Sequence, residues 1–289
     1  MRGVKVIAVL LVVCLCFCGC SARKNLKDLS VAEGLGIDNA EQGKRVTVQT
    51  LNLAKAGNGT AALSGNVTLN TAGIGRNISS AAAAAAESLS KDLFFGQNKL
   101  LVFGMDVAVN DLATCFDYLM RSENSRPDVP VCISSGTAAQ LLDCGQNDAL
   151  VPAQAVAELL KNGQNSGFSL YVSVNEMLNL YKDKTSDICL PVITVSDESS
   201  RTSGIAIFSE SRLAGVLSGD ETVGLLFLKD KVKSGYMELE SEKYGNIGVR
   251  IIGASSKTKA FAQGETVHFK VGVKLFFSID EIENGTKES

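Results

Sequence analysis

Hydrophobic and polar residues alternate in short blocks after residue 28, and the pattern predicts strands interleaved with amphipathic helices. The apolar stretch 99–103 (KLLVF) has no polar face, which predicts a strand covered on both sides. In 265–276, valine, phenylalanine and leucine alternate with His268 and two lysines, which predicts one buried face and a solvent-facing His268. Strands are also predicted at 28–37, 45–53, 129–133, 190–195, 204–208, 212–218 and in the region after residue 236.

Helical spacing separates these strands. Ser79 or Ser80 is expected to cap a helix that begins with six alanines, whose small side chains would let it lie close to a sheet. Asn110 is expected to open a helix with one apolar stripe and an outer Asp117/Arg121 pair, and 218–221 (SGDE) predicts a capping box. The stripe comprises Leu112, Cys115, Phe116, Leu119 and Met120, and further helices are predicted at 137–142, 152–161, 173–181 and up to Leu228.

This order of elements predicts an α+β fold in which mixed sheets and packed helices form two or more small domains. The polar run 196–203 (SDESSRTS) has the composition of an interdomain connection. We therefore expect an N-terminal domain at 20–196 and a C-terminal domain at 203–289.

The amino terminus has the pattern of an export signal. Arg2 and Lys5 precede an almost unbroken apolar run at 6–18, which is too short to cross a hydrocarbon core of roughly 30 Å as a helix. A basic start followed by a short apolar segment is typical of a signal peptide, here expected at 1–19.

Four cysteines lie at the end of that signal. Cys14, Cys16 and Cys18 fall in the apolar segment, where metal-binding thiolates would be costly, so we interpret them as small apolar residues. The tetrapeptide FCGC at 17–20 resembles a bacterial lipobox, which predicts that Cys20 becomes the lipid-modified N-terminus. An ordinary cleaved signal with an unmodified Cys20 is the alternative.

Composition narrows the possible functions. The formal charge of −3 becomes −5 once Arg2 and Lys5 are removed with the signal, so nucleic acid is not an expected partner. The chain has one histidine and no CxxC pair, so no metal site is expected. A disulfide between Cys132 and Cys144 is conceivable outside the cytosol, but we favour four structural thiols, with Cys115 and Cys189 in apolar stretches.

Few residues of the sequence suggest catalysis or ligand binding. The segment 73–76 (GIGR) superficially resembles a phosphate loop but lacks its lysine, and we interpret it as a turn. Asp220 and Glu221 are explained by the predicted helix start. A cluster of Arg121, Glu123 and Arg126 could bind an anion or be solvated. We therefore expect no catalytic residues and no cofactor.

Several segments, in order, resemble the Ger(x)C spore germination lipoproteins. They are the Gly19-Cys20 start with Arg23, Asp28 and Leu29, then 93–108 (LFFGQNKLLVFGMDVA), 117–126 (DYLMRSENSR), 131–142 (VCISSGTAAQLL), 190–195 (LPVITV) and 204–222 (GIAIFSESRLAGVLSGDET). The chain departs from the family where Ser21 and Ala22 replace a common Trp-Asp pair and where Gln97 replaces a common histidine. Family members usually continue for about another hundred residues, roughly the size of a domain, so the C-terminal domain is expected to be incomplete.

The resemblance implies a role in nutrient sensing. It implies the C subunit of a germinant receptor, a non-enzymatic lipoprotein on the outer face of the spore inner membrane, which works with integral membrane A and B subunits. A solute-binding lipoprotein of a transporter is the alternative, for which we would expect two lobes and an aromatic-rich cleft. A lipoprotein hydrolase would need a nucleophile elbow, which this sequence lacks.

Overall fold

The computed structural model describes Gly3 and residues 28–52, 67–122, 126–144, 149–183, 186–196 and 199–284. Apart from Gly3, the predicted signal lies outside the described residues, and so does Cys20. The described strands are β1 Leu29–Ala40, β2 Gly43–Leu51, β3 Thr68–Gly75, β4 Asp92–Phe94, β5 Leu100–Gly104, β6 Val131–Ser134, β7 Ile188–Val195, β8 Ser200–Ser209, β9 Arg212–Leu217, β10 Gly235–Ser241, β11 Gly245–Gln263 and β12 Thr266–Ile282. The helices are α1 Ile78–Glu87, α2 Met105–Asn110, α3 Leu112–Arg121, α4 Ala138–Asp143, α5 Pro152–Asn165, α6 Val174–Lys182 and α7 Asp220–Leu228.

A large mixed sheet organises the described chain. Its strand order is β3-β2-β1-β5-β6-β7-β8-β9, and β4 pairs with β1 beside this path. The strands β1, β5, β6 and β7 run parallel, and antiparallel neighbours flank them on both sides. A second sheet has the order β10-β11-β12. The predicted α+β class with mixed sheets and packed helices is confirmed.

The central strand β5 explains why helices cover both faces of the large sheet. Leu101 and Phe103 point into one buried cluster, while Leu100 and Val102 point into another, and all four are at most 1% exposed. The first cluster includes side chains of α1, α2, α3 and α6, and the second includes those of α4 and α5. The unbroken apolar run predicted this double burial, which is typical of parallel strands.

Helix α1 lies unusually close to β3. A Cβ added to Gly73 would lie 2.2 Å from the backbone nitrogen of Ala85 and 2.3 Å from the carbonyl oxygen of Ala81, so only glycine lets the two elements approach. The predicted turn at 73–76 is wrong, because 73–75 complete β3. The helix cap also lies two or three residues earlier than predicted, since Asn77 is the N-cap and Ser80 forms the reciprocal half of its capping box.

Asp38 joins the end of β1 to the start of α4. Its buried carboxylate accepts hydrogen bonds from the backbone N–H groups of Ala138 at 2.7 Å and Ala139 at 3.0 Å. Burial raises the pKa of Asp38, while these two bonds act in the opposite direction. The contact fixes a helix over the carboxyl end of the parallel strands.

Two predicted helix details need correction. The capping box at 218–221 is wrong, because Gly219 is the N-cap of α7, with φ of 52° and no side-chain hydrogen bond. The stripe of α3 is buried at Leu112, Cys115, Phe116 and Leu119, but Met120 is 42% exposed. The helix begins after Asp111 instead of Asn110, and its predicted outer pair is present, with Arg121 Nε 2.9 Å from Asp117 Oδ1.

Strands on either side of the predicted interdomain connection are hydrogen-bonded to each other. The antiparallel partners β7 and β8 flank 196–199, and Val195 lies opposite Ser200. The strands predicted at 204–208 and 212–218 are present as the antiparallel pair β8 and β9. The division into domains at 20–196 and 203–289 stays a prediction. Strands from both sides of this boundary belong to the large sheet.

We expect Gly73→Ala to destabilise the protein by about 1–3 kcal/mol, because the new methyl group must push β3 away from α1. Chemical denaturation measures this change. Gly215→Ala in β9 is the matched control, since no atom outside its chain neighbours lies within 4 Å of the added Cβ. Equal denaturation midpoints for the two variants would contradict the close approach of α1 and β3.

The buried carboxyl group of Glu33 predicts how the stability of the folded protein changes with pH. It is only 7% exposed, and burial raises its pKa, partly opposed by the positive charge of Lys99. Because the folded state holds this proton more tightly than the unfolded state, Glu33 makes stability fall as pH rises from 4.5 through its folded pKa. We expect Glu33→Gln to flatten that fall in urea titrations, whereas exposed Glu41→Gln should not. Parallel pH profiles for the wild type and Glu33→Gln would contradict this account.

Candidate docking surface

The two longest described strands form a hairpin in the last part of the described chain. The strands β11 and β12 pair antiparallel, with Gln263 opposite Thr266 beside the turn and Ala254 opposite Leu275 further along. In the described chain β12 is the edge of its sheet. We call residues 254–275 the distal hairpin, in which every residue from 257 to 275 is exposed.

One side of the distal hairpin, which we call the apolar face, carries no charged side chain. Directly paired residues share a face, so this side alternates large residues of β12 with small residues of β11. Phe269 is 68% exposed and Val267 is 58% exposed. The apolar face comprises Val267, Phe269, Val271, Val273 and Leu275 of β12 and Ala254, Ser256, Thr258, Ala260 and Ala262 of β11.

The apolar face continues a part of the core. A register shift between Ile251 and Gly253 brings Ile251 and Val249 onto the same side as the apolar face, since they pair with Phe277 and Ile279. Ile251 is 4% exposed and Val249 is 2% exposed, because both belong to the larger buried cluster. The prediction of a buried face at 265–276 is therefore wrong for the described chain, although the alternation itself is correct. The reason is that no other described element lies over this part of the sheet.

The opposite side, the lysine face, is positively charged. It carries Lys257, Lys259, Lys270 and Lys274, and none of them forms an ion pair with another described residue. Lys259 lies directly opposite Lys270, an arrangement that destabilises a strand pair. The exposed His268 lies on the same side and stacks on Phe261 with ring centroids 5.5 Å apart.

A groove of about 810 Å³ lies between helices α1 and α3. It is lined by alanines of α1, and Phe95 and Tyr118 are its aromatic residues. Arg121 also lines it, but its side chain is paired with Asp117. Polar and small residues therefore dominate this groove.

The predicted anion cluster is not assembled as expected. Arg121 bonds to Asp117, whereas Arg126 binds the Asp128 carboxylate through both Nε and Nη2 and the Gly96 carbonyl through Nη1. This interaction with Arg126 lowers the pKa of Asp128. Glu123 lies outside the described residues.

The four described cysteines, Cys115, Cys132, Cys144 and Cys189, are thiols, so Cys132 is not bonded to Cys144. Burial raises the pKa of Cys115 to about 12 and also raises the pKa of Cys132. Thiols that resist ionisation are poor nucleophiles and poor metal ligands. Consistent with this, the described residues contain no group of histidine, cysteine or acidic side chains placed to hold a metal ion.

Sequence reasoning did not single out the four lysines of the hairpin as a group. The sequence contains the pattern that groups them within each strand. Strand alternation places Lys257 and Lys259 on one side of β11, and Lys270 and Lys274 on one side of β12. What the sequence lacked was the register that brings both pairs onto one surface. Cys20, the predicted lipidation site, lies outside the described residues, and none of the described helices is long and apolar enough to cross a membrane.

Comparison with known proteins gives consistent results. A family model described as the spore germination protein N-terminal domain matches residues 22–195, and one described as spore germination B3/GerAC like, C-terminal, matches 203–289. A Bacillus subtilis (strain 168) protein named as a putative spore germination protein, YfkR, is 23% identical over 235 residues, which are 77% of this chain and 60% of that protein. The chain thus spans less than two thirds of this curated relative.

The fold also has a solved counterpart. The crystal structure of the GerBC protein superposes with a TM-score of 0.50 at 15% identity, covering 91% of this chain and 76% of that one. Both family models together cover nearly all of the chain after the predicted signal. The chain belongs to the Ger(x)C family of spore germination proteins.

Proposed function

We propose that this protein is the C subunit of a nutrient germinant receptor, anchored by lipid to the outer face of the spore inner membrane and assembled with integral A and B subunits. The observation that carries the proposal is the match of both spore germination family models, in order, to 22–195 and 203–289. A subunit of this kind acts by position and contact, so its anchor and its exposed surfaces are the features to test.

The proposed anchor restricts where the folded part can lie. Eight residues, 21–28, separate Cys20 from the first residue of β1, Leu29, so nine Cα–Cα steps join the two. A fully extended chain of that length spans at most about 30 Å. With Cys20 acylated, the start of the large sheet stays within that distance of the bilayer, close enough for direct contact with integral subunits.

The solute-binding alternative gains no support from the groove between α1 and α3. That reading requires an aromatic-rich cleft between two lobes. The groove has two aromatic residues, Phe95 and Tyr118, and lies between helices packed on the same sheet. We therefore retain the receptor subunit as the proposed function.

We expect Cys20→Ala to move the protein from the membrane to the soluble fraction after a wash in high salt, which screens reversible electrostatic contacts. Two or three acyl chains anchor a protein durably, and their loss leaves no comparable attachment. Fractionation followed by immunodetection measures the shift. Cys18→Ala is the matched control, because Cys18 lies in the same segment but is not the predicted lipidation site. Salt-resistant membrane association of Cys20→Ala would contradict the anchor.

Assembly is tested by purifying a tagged copy from dormant spore membranes and identifying the associated proteins by mass spectrometry. We expect two proteins with several membrane spans each, at levels comparable to the tagged chain. Recovery of a permease with an ATPase instead would contradict the receptor proposal and favour the solute-binding alternative.

A further inference from the structure

We propose that a small cavity at the amino ends of β5 and β6 binds one ordered water molecule, which donates a hydrogen bond to the buried side-chain oxygen of Asn98. The inference goes beyond the proposed function and does not depend on it. It stands on one buried acceptor, on the size of the cavity beside it and on the charge of the cavity wall. All of the lining residues lie between 35 and 174, inside the span that the N-terminal family model matches.

The side chain of Asn98 is the feature that points to a bound molecule. Asn98 is 8% exposed, and its Oδ1 accepts no hydrogen bond from any described residue. The backbone N–H of Asn98 is already used, because it donates to the carbonyl oxygen of Phe95 at 3.0 Å. A buried amide oxygen loses its bonds to bulk water on folding, so an acceptor in such a position normally has a replacement donor. The donor for Asn98 Oδ1 must therefore come from a bound molecule.

The cavity beside Asn98 has room for one water molecule. Its volume is about 20 Å³, and a bound water needs roughly 10–15 Å³. An organic molecule of several heavy atoms does not fit in this space. The apolar part of the wall includes Leu101, Val129 and Val174, each of which is at most 3% exposed.

Further polar groups line the same cavity. They belong to Tyr118, to Ser122 at the C-cap of α3 and to Arg126. Buried waters typically form about three hydrogen bonds. A water bonded to Asn98 Oδ1 and to two of these groups meets that number.

The charge of the wall excludes an ion as the bound molecule. Arg126 lines the cavity and repels a cation, whereas its partner Asp128 does not line it. An anion is unsuited to Asn98 Oδ1, because both are hydrogen-bond acceptors. A neutral molecule of this size that both donates and accepts hydrogen bonds is water.

The water joins segments that are distant in the sequence. Asn98 precedes β5, Ser122 follows α3 and Val129 precedes β6. Asn98 and Ser122 also lie in the stretches 93–108 and 117–126 that resemble the Ger(x)C proteins. The water therefore holds the amino ends of two central parallel strands against a helix that covers them.

A crystal structure of the full chain carrying Cys20→Ala, at a resolution that shows ordered water, tests the site directly. We expect one water oxygen about 2.5–3.0 Å from Asn98 Oδ1. A cavity without a water at this position, or one filled by a protein side chain, would overturn the proposal.

Chemical denaturation tests the same site in solution. Val174→Ile adds one methyl group to the cavity wall and is designed to displace the water. We expect it to lower the folding equilibrium constant about tenfold, because the acceptor of Asn98 is then left unpaired. In an Asn98→Ala background this acceptor is gone, so the same change should cause no such loss.

Val172→Ile is the matched control, since Val172 is also 3% exposed but does not line the cavity. It should have the same effect in both backgrounds. If Val174→Ile stabilises the wild type, or acts equally in the two backgrounds, no water is bonded to Asn98. The crystal structure decides the question if Val174→Ile does not fold.

Discussion

Burial of β5 on both faces is the constraint on which the rest of the fold depends. Its alternate side chains enter two separate clusters, so helices must cover each side of the sheet before any part of it is stable. The parallel neighbours β1, β6 and β7 follow from the same requirement, since parallel strands need crossover connections and here helices supply them. Asp38 then fixes α4 to the sheet through two hydrogen bonds. Gly73 allows α1 to lie in close contact with β3.

The distal hairpin differs from β5 in how its apolar side chains are covered. On β5 every apolar side chain has a partner layer, whereas on the distal part of β12 the apolar residues have none among the described elements. Beyond the register shift between Ile251 and Gly253, the same side of the sheet enters the core at Ile251 and Val249.

Hydrophobic periodicity in the sequence predicted most of the helices and strands, but not which neighbouring elements cover them. The strand KLLVF and the α3 stripe were recognisable because their apolar residues repeat at the period of a strand or a helix. Strand β3 was missed because its glycines and threonines carry little hydrophobic signal, and its stability comes from packing on α1. Exposure of the apolar face was unpredictable for a different reason, since alternation shows which residues share a side but not whether another layer lies over it.

The proposed subunit would meet the membrane through the acyl chains on Cys20, and several acyl chains give durable attachment. The short segment between Cys20 and β1 would keep the large sheet near integral partners.

Amide hydrogen exchange of the full chain tests this account most directly. It predicts that the slowest exchange lies in β5 and its parallel neighbours β1, β6 and β7, because core strands open only with the whole fold. Exchange in β5 as fast as in the exposed distal hairpin would contradict it.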